Sequence, residues 1–443
     1  MRKPFFILFG LLCVMGFAQE ATGPKMLISD LNVLTHANPS EVHLDSTYIH
    51  AKVDSIITKG IIMEAFPGAQ ILVAKDSKII FHKAYGFHTY DSIQRVALDD
   101  IYDLASVTKI TGPLPALMKL VDEGKLDLDK PFSTYWKPWI KVSDKKALTL
   151  REILAHQAGL TPYIVFLNTV LKKNGGIKKR FVRRGPKRGY EKQAYDELYI
   201  KNNFNRKMYR IINRSKVSEE KKYTYSGLTF LIFPKLIEQL TGQSYENYLE
   251  RTFYRPLGAT TMGFRPKTKG YINQIVPTEE DTLFRHTLTR AWVHDENASL
   301  LGGVSGNAGL FATATDLAKL MQMYMQYGNY NGKRYISEAT LREFVKVQYP
   351  DNENRRGLGF DKPSLDNSAL AFSEAYPAPE VSAESFGHSG FTGTFVWADP
   401  ENQLVYIFLS NRVNPTRDHR NLYKLKIREA VQQVFYQASL PID

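Results

Sequence analysis

The chain has 443 residues, with 58 basic and 45 acidic side chains, a net charge of +13 and one cysteine. That length is ample for a sizeable core and suggests two lobes or domains. The single cysteine, Cys13, leaves no disulfide, cysteine nucleophile or thiolate metal site in the residues after it.

Met1-Arg2-Lys3 opens the chain, an apolar run fills 4–15, and Gly16 and Ala18 stand three and one before a cut after Ala18. Residues 1–18 therefore read as a secretory signal, too short to anchor stably in a bilayer. Gly10 stands where a lipoprotein signal usually carries leucine, which weighs against a lipid on Cys13. Cleavage leaves 56 basic against 45 acidic residues. The expected product is a secreted protein of the bacterial periplasm, soluble and with no transmembrane anchor.

Residues 19–45 are polar and read as a flexible N-terminal segment. An amphipathic helix is predicted over 46–66, with Ile49, Val53, Ile56, Ile57 and Ile61 near helical spacing and Pro67-Gly68 as the stop. Two β-rich runs, 69–74 and 78–85, joined by Lys75-Asp76-Ser77, predict a hairpin. Ser106-Val107-Thr108-Lys109 then leads into an apolar helix over 110–121. Pro113 cannot donate to the carbonyl of Lys109, so a break is expected about two turns after the serine. A helix over 148–156 is expected to close at Gly159.

Residues 165–222 are basic and polar, with nine basic and no acidic side chains between 172 and 190. An insertion with short helices is expected there. Such a patch favours an anionic partner such as an envelope polymer, against the plainer reading of a solvated surface. No nucleic-acid-binding motif accompanies it. Further helices are predicted over 230–240, 246–253, 315–327 and 420–436, and a second hairpin over 393–398 and 405–411. Hairpins at both ends and helices between them predict an α+β fold. An antiparallel sheet from both chain ends, flanked by helices, would use residues 46–135 and 315–443. A helical lobe over 136–314 would include the basic insertion, and a site would lie in the cleft.

Ser106 and Lys109 are three apart, so on a helix the amine can reach the hydroxyl. A serine hydroxyl becomes a good nucleophile only when a neighbouring base accepts its proton. The same spacing recurs at Ser143 with Lys146 and Ser218 with Lys221, but in charged stretches; only Ser106 has small and apolar neighbours. Tyr225, in Tyr225-Ser226-Gly227, would have its phenol pKa lowered beside Lys109 and could take the serine proton. His388-Ser389-Gly390 leads toward the last hairpin. Gly390 and Gly393 let backbone approach a ligand, and an N–H there could bind an oxyanion together with that of Ser106. His156 ends a helix and reads as structural. His294-Asp295-Glu296-Asn297 lacks a helical histidine pair, which argues against a metal site. Asn213-Arg214-Ser215 fits the glycan-acceptor pattern, a common chance triplet.

The order Ser-x-x-Lys, Tyr-Ser-x, His-x-Gly resembles the serine β-lactamase and penicillin-binding-protein superfamily, in the branch of class C β-lactamases, D-stereospecific peptidases and carboxylesterases. Flanking stretches 103–109, 148–160 and 303–313 are similar too, and the likeness covers roughly 45–435. The resemblance implies a β-lactamase/DD-peptidase-like fold and an acyl-enzyme at Ser106. It implies that Lys109 assists electrostatically or as base, that Tyr225 is the general base, and that the N–H groups of Ser106 and Phe391 form the oxyanion hole, with Ser389 and Gly390 beside the substrate. His388 stands where most β-lactamases have lysine, as in the family's D-alanyl peptidases and esterases. Gly227 stands where the family often has an asparagine that orients the lysine and the substrate carbonyl, which weighs against amide substrates. The implied protein is a serine hydrolase of cell-wall D-amino-acid peptides, carboxylic esters or, last, β-lactams, needing no metal or organic cofactor. The competing expectation is a non-catalytic envelope-binding protein that works through the basic insertion.

Overall fold

The computed structural model describes residues 33–440; the signal expected over 1–18 lies outside them. A six-stranded sheet forms the frame. Its strands are β1 (Thr35–His36), β2 (Gly68–Lys75), β3 (Lys78–Gly86), β4 (Phe386–Ser389), β5 (Phe395–Asp399) and β6 (Leu404–Ser410), in the order β1-β3-β2-β6-β5-β4. Five strands pair antiparallel, and β1 adds parallel to β3 at the edge. The two ends of the chain thus meet at β2 and β6, as the hairpins predicted. The part of 19–45 that is described is more structured than expected: it holds β1 and a capped 3-10 turn, Pro39–Val42.

The central strands are buried on both faces, and side chains two apart on a strand share a face. Ala69, Ile71 and Val73 of β2 and Leu404, Tyr406 and Phe408 of β6 enter one apolar cluster, while Leu72, Ala74, Val405, Ile407 and Leu409 enter another. The first cluster is covered by α1 (Ser46–Ile62) and the C-terminal helix, Ile427–Gln437. Helix α1 presents Ile49, Val53 and Ile57 at four-residue spacing, all fully buried, and Asp45 caps its N-terminus at Tyr48. Burial of each such side chain stabilises by roughly 1.5–3 kcal/mol. The second cluster continues into the helices of the middle region.

The turn between β2 and β3 has Asp76 and Ser77 both at positive φ, the tight two-residue geometry that matches strand twist. The expected break after Ser106 falls at Gly112, between α2 (Thr108–Thr111) and α3 (Pro113–Asp122). The helix expected over 148–156 is shorter, Leu150–Leu154, held at its start by a reciprocal cap of Thr149 and Glu152. The helix closes earlier than Gly159: His156 takes the left-handed conformation at φ 56°, and Gly159 takes it again at φ 66°. In 165–222 the short helices are joined by a three-stranded sheet that was not expected, Val182–Arg184, Leu198–Ile200 and Lys192–Tyr195. No helix among the described residues is long and apolar enough to cross a membrane.

Candidate active site

Asp103 prepares the serine. It ends a short strand, Tyr102–Asp103, that pairs with Leu310–Ala312. Its buried carboxylate accepts the N–H of Ala105 at 2.8 Å and of His294 at 2.6 Å. Burial pushes the Asp103 carboxyl up, and those bonds pull the other way. They hold Ala105 at φ 45°, a left-handed conformation that costs an L-residue roughly 1–2 kcal/mol. The chain then winds through the 3-10 turn Ala105–Val107 into α2. This winding puts the Lys109 Nζ 2.9 Å from the Ser106 Oγ, to which it donates. The same nitrogen donates to the Asn307 carbonyl at 3.0 Å. Lys109 is 2 % exposed, with its ammonium 5.2 Å from the Tyr225 ring centre and 5.6 Å from that of Phe230.

Tyr225 lies beside this pair. Enclosure by protein raises its phenol, but the charges of Lys109 and Arg356 and side-chain hydrogen bonds with Lys109 and Ser106 outweigh that. The net effect is a phenol that titrates below its usual range. His156, expected to be structural, grips this segment from both sides. Its carbonyl accepts the Thr224 N–H at 2.9 Å, and its Nδ1 accepts the Ser226 N–H at 3.2 Å. Its ring centre is 4.6 Å from that of Tyr225. Because Nδ1 accepts, the proton sits on Nε2 and the ring is neutral. Burial, then Arg356, Lys109 and His388, hold its pKa well down.

Arg356 gave no sequence signal. It is buried, its guanidinium centre is 5.2 Å from the Tyr225 ring, and its Nε donates to the Tyr223 hydroxyl at 3.3 Å. An ion pair of 3.5 Å ties it to Asp361, whose backbone pairs with Gly387 on the outer edge of β4. Asn354 completes the anchor by donating to the Ala155 carbonyl at 2.9 Å. Arg356 therefore reaches the phenol because its segment is bonded both to the sheet edge and to the loop of His156.

His388 belongs to β4 itself, a strand absent from the expected hairpin, in which the histidine only led toward a strand. Its ring centre is 6.1 Å from that of Tyr225. Its Nδ1 lies 2.7 Å from the Ser389 carbonyl, which can only accept, so Nδ1 carries the proton. Nε2 is then an acceptor, and it is buried with no partner among the described residues. Burial, aided by Arg356 and Lys109, lowers the His388 pKa to about 3. His388 is thus neutral at pH 7 and cannot supply the charge of the lysine it replaces; the cations here are Lys109 and Arg356.

The turn after His388 is bolted to the residues before the serine. Thr392 and Thr394 donate to the carbonyls of Asp103 and Leu104 at 2.8 and 3.0 Å. A Cβ on Gly390 would lie 2.0 Å from the Thr394 Oγ1 and 2.5 Å from the Leu104 carbonyl, so only glycine fits. Ser389 ends β4 beside it. Phe391 follows, 41 % exposed, its ring between His294 and the guanidinium of Arg412. Among the described residues, neither the Ser106 nor the Phe391 N–H donates to a backbone carbonyl.

Gly227 faces Lys109 and Asn307, which a Cβ there would meet at 4.0 and 3.9 Å, ordinary contact. Orientation of Lys109 comes instead from the Asn307 carbonyl. Asn307 is itself held by Ser305 at 2.7 Å and Asp295 at 3.1 Å. Its stretch matched the family in sequence, but nothing there marked this role. Gly227→Ala is therefore expected to fold normally and to gain about 0.4–1 kcal/mol from a less flexible unfolded chain; urea denaturation of the two proteins checks it.

The remaining candidates have structural partners. The Asn213 side-chain oxygen accepts both the Trp136 and the Trp139 indole N–H at 2.9 Å. His294 bonds to Glu279 at 2.8 Å, and Arg417 pairs with both Glu279 and Glu296. Lys221 pairs with Glu152, while Ser143 and Lys146 are exposed.

A sheet built from both chain ends, with a serine–lysine pair beneath its edge strand and a phenol alongside, defines the β-lactamase and penicillin-binding-protein fold class. The comparisons agree. The Beta-lactamase family model matches residues 53–430, and the chain belongs to that family of serine hydrolases. A relative from Salmonella gallinarum, named "Putative D-alanyl-D-alanine carboxypeptidase", is 30% identical over 406 residues, 86% of each chain. Among solved structures, EstCE1, described as a hydrolase with promiscuous acyltransferase activity, is similar with a TM-score of 0.61 at 17% identity. It spans 87% of this chain and 98% of its own. The octameric penicillin-binding protein homologue from Pyrococcus abyssi is similar with a TM-score of 0.60 at 20% identity, over 85% and 77%.

Proposed function

We propose that the chain is a serine hydrolase of D-amino-acid peptides of the cell wall, acting outside the cytoplasm through an acyl-enzyme on Ser106. The observation that carries the reading is the 2.9 Å contact of a buried Lys109 with Ser106, beside a phenol held below its usual range. The name of the 30%-identical relatives favours the peptide over other acyl substrates. The positive charges of Lys109 and Arg356 suit a substrate that ends in a carboxylate.

In this mechanism the Tyr225 phenolate takes the Ser106 proton as Oγ bonds to the substrate carbonyl carbon. The carbonyl electrons move to oxygen, between the N–H groups of Ser106 and Phe391. Collapse breaks the bond to the leaving amine, which receives the proton from Tyr225. Water then gives a proton to Tyr225 and attacks the acyl carbon, releasing the acid, and the proton returns to Ser106. The Lys109 amine beside Tyr225 stabilises the phenolate.

The test is labelling by a fluorescent penicillin or fluorophosphonate, followed by intact mass after exposure to D-Ala-D-Ala peptides and esters. Wild type should be labelled and Ser106→Ala should not, and a peptide-derived acyl adduct should form on wild type. An unlabelled wild type would instead support a non-catalytic envelope protein, and an adduct from esters alone would replace the peptide reading.

A further inference from the structure

The basic insertion holds all of the chain's charge excess. Residues 165–222 contain 18 basic and 5 acidic side chains, and the rest of the chain balances at 40 and 40. Three of the eighteen meet a carboxylate: Arg184 at Glu197, Lys221 at Glu152 and Lys222 at Glu220. None of the other fifteen forms an ion pair among the described residues, although Lys178 donates to the Asn168 and Thr169 carbonyls and Lys192 lies in the field of Glu238 and Glu246.

This stretch is folded. A helix, α4 (Phe204–Arg214), buries Phe204, Met208 and Ile212 on one side in the main core. On its other side Arg206, Arg210 and Arg214 are exposed, at successive turns about 6 Å apart. Asn213, bonded to Trp136 and Trp139, pins the end of this helix. The small sheet contributes Val182, Ala194, Leu198 and Ile200 to the same core. Phe181, next to the first strand of this sheet, meets the helix through Phe204 and has Arg180 at 4.8 Å and Lys207 at 5.0 Å from its ring centre. The cations are therefore held in place against strong mutual repulsion, which a folded surface sustains only at some cost in stability.

We propose that this surface docks a polymeric phosphate chain of the cell envelope, aligned along the arginines of α4. Guanidinium groups bind phosphate in a paired geometry, and a ladder of them at regular spacing suits a repeating anion. A bilayer fits less well, because Val165, at the very start of the stretch 165–222, is its one large apolar side chain among the exposed ones. A nucleic acid fits less well too, because the same stretch exposes no aromatic platform on which bases would stack. The stretch is also rooted beside the site. Ser218 donates to the Gly159 carbonyl at 2.8 Å, and Thr161 bonds to both Lys216 and Ser226, the neighbour of Tyr225. A polymer held there would keep the cleft against the envelope while leaving the chemistry at Ser106 unaltered.

The test uses the full chain, fluorescent long-chain polyphosphate, phosphatidylglycerol vesicles and a single-stranded oligonucleotide, each titrated over a range of salt. Polyphosphate should bind tightest, with affinity falling steeply as salt rises. Arg206→Gln/Arg210→Gln/Arg214→Gln should lose at least about tenfold in affinity, and its salt slope should be shallower by about 1 per arginine. Lys172→Glu/Lys173→Glu/Lys179→Glu should lose as much or more. Both variants should keep wild-type kcat/KM on a small chromogenic substrate and the wild-type Tm, which shows that they fold. Unchanged polyphosphate affinity in both variants overturns the proposal. Tighter binding of wild type to vesicles or to the oligonucleotide overturns it as well, in favour of a membrane or nucleic-acid partner.

Discussion

Replacing Lys109 by alanine is expected to slow acylation of Ser106 at pH 7 by on the order of 10²–10⁴-fold, the range a positioned proton-transfer apparatus supplies. Two losses combine. The serine oxygen loses the ammonium that donates to it at 2.9 Å. The phenol of Tyr225 loses one of the two cations that hold it down, so burial, now opposed by Arg356 without Lys109, pushes it up and less phenolate remains to accept the serine proton. The fold should survive, because a buried charge leaves together with its desolvation penalty, although the Asn307 carbonyl is left without its donor. Lys109→Met fills the vacated volume and should be equally slow, which separates charge from packing. Lys109→Arg should not restore the rate, since a planar guanidinium cannot reproduce one nitrogen shared between Ser106 and Asn307. The measurement is the second-order rate of labelling by a fluorescent penicillin, with Tm taken alongside. Labelling of Lys109→Ala within about threefold of wild type would remove the lysine from the proposed mechanism.

What was legible in the sequence was local. Short, continuous β-rich apolar runs marked β2, β5 and β6 because both of their faces are buried, and the first half of β3 followed as the other arm of its hairpin. Four-residue spacing marked α1 because one of its faces packs on the sheet. The Ser106–Lys109 contact was legible because three residues along one turn bring both side chains to one side. The strand holding His388 was not. Phe386-Gly387-His388-Ser389 has no alternation, and it becomes a strand through pairing with β5 on one side and Asp361 on the other. The three strands of the basic insertion were hidden in the same way, being only three or four residues long, too short to show a period. Arg356 and Asn307 were illegible for a different reason: each reaches the site through contacts with residues distant in sequence, which no local pattern records. Gly227 looked like a missing part until the Asn307 carbonyl was seen in contact with Lys109.

Arg356→Gln is expected to move the acidic limb of the kcat/KM profile to higher pH. In the free enzyme that limb reports the group that must be deprotonated to act. Three candidates sit in the pocket, and two are excluded by their position on the pH scale. His388, at about 3, is already neutral across the ordinary range, and His156 is held well below its usual value. That leaves Tyr225, whose phenol Lys109 and Arg356 lower against the opposing effect of burial. Removing one cation weakens the downward pull, so the phenol rises, the phenolate fraction at pH 7 falls and the limb shifts up. The loss at pH 7 should be on the order of tenfold or more, and it should shrink as the pH is raised, because the machinery is intact and only the proton balance has changed. A purely structural role would lower the rate equally at every pH. Arg356→Lys keeps the charge and should return most of the limb toward its wild-type position. Arg356 also depresses His388, so the limb must be assigned rather than assumed. Adding His388→Gln to Arg356→Gln should leave the limb where Arg356→Gln put it. If the limb vanishes when the imidazole is removed, the titrating group is His388 and the phenol is not the base.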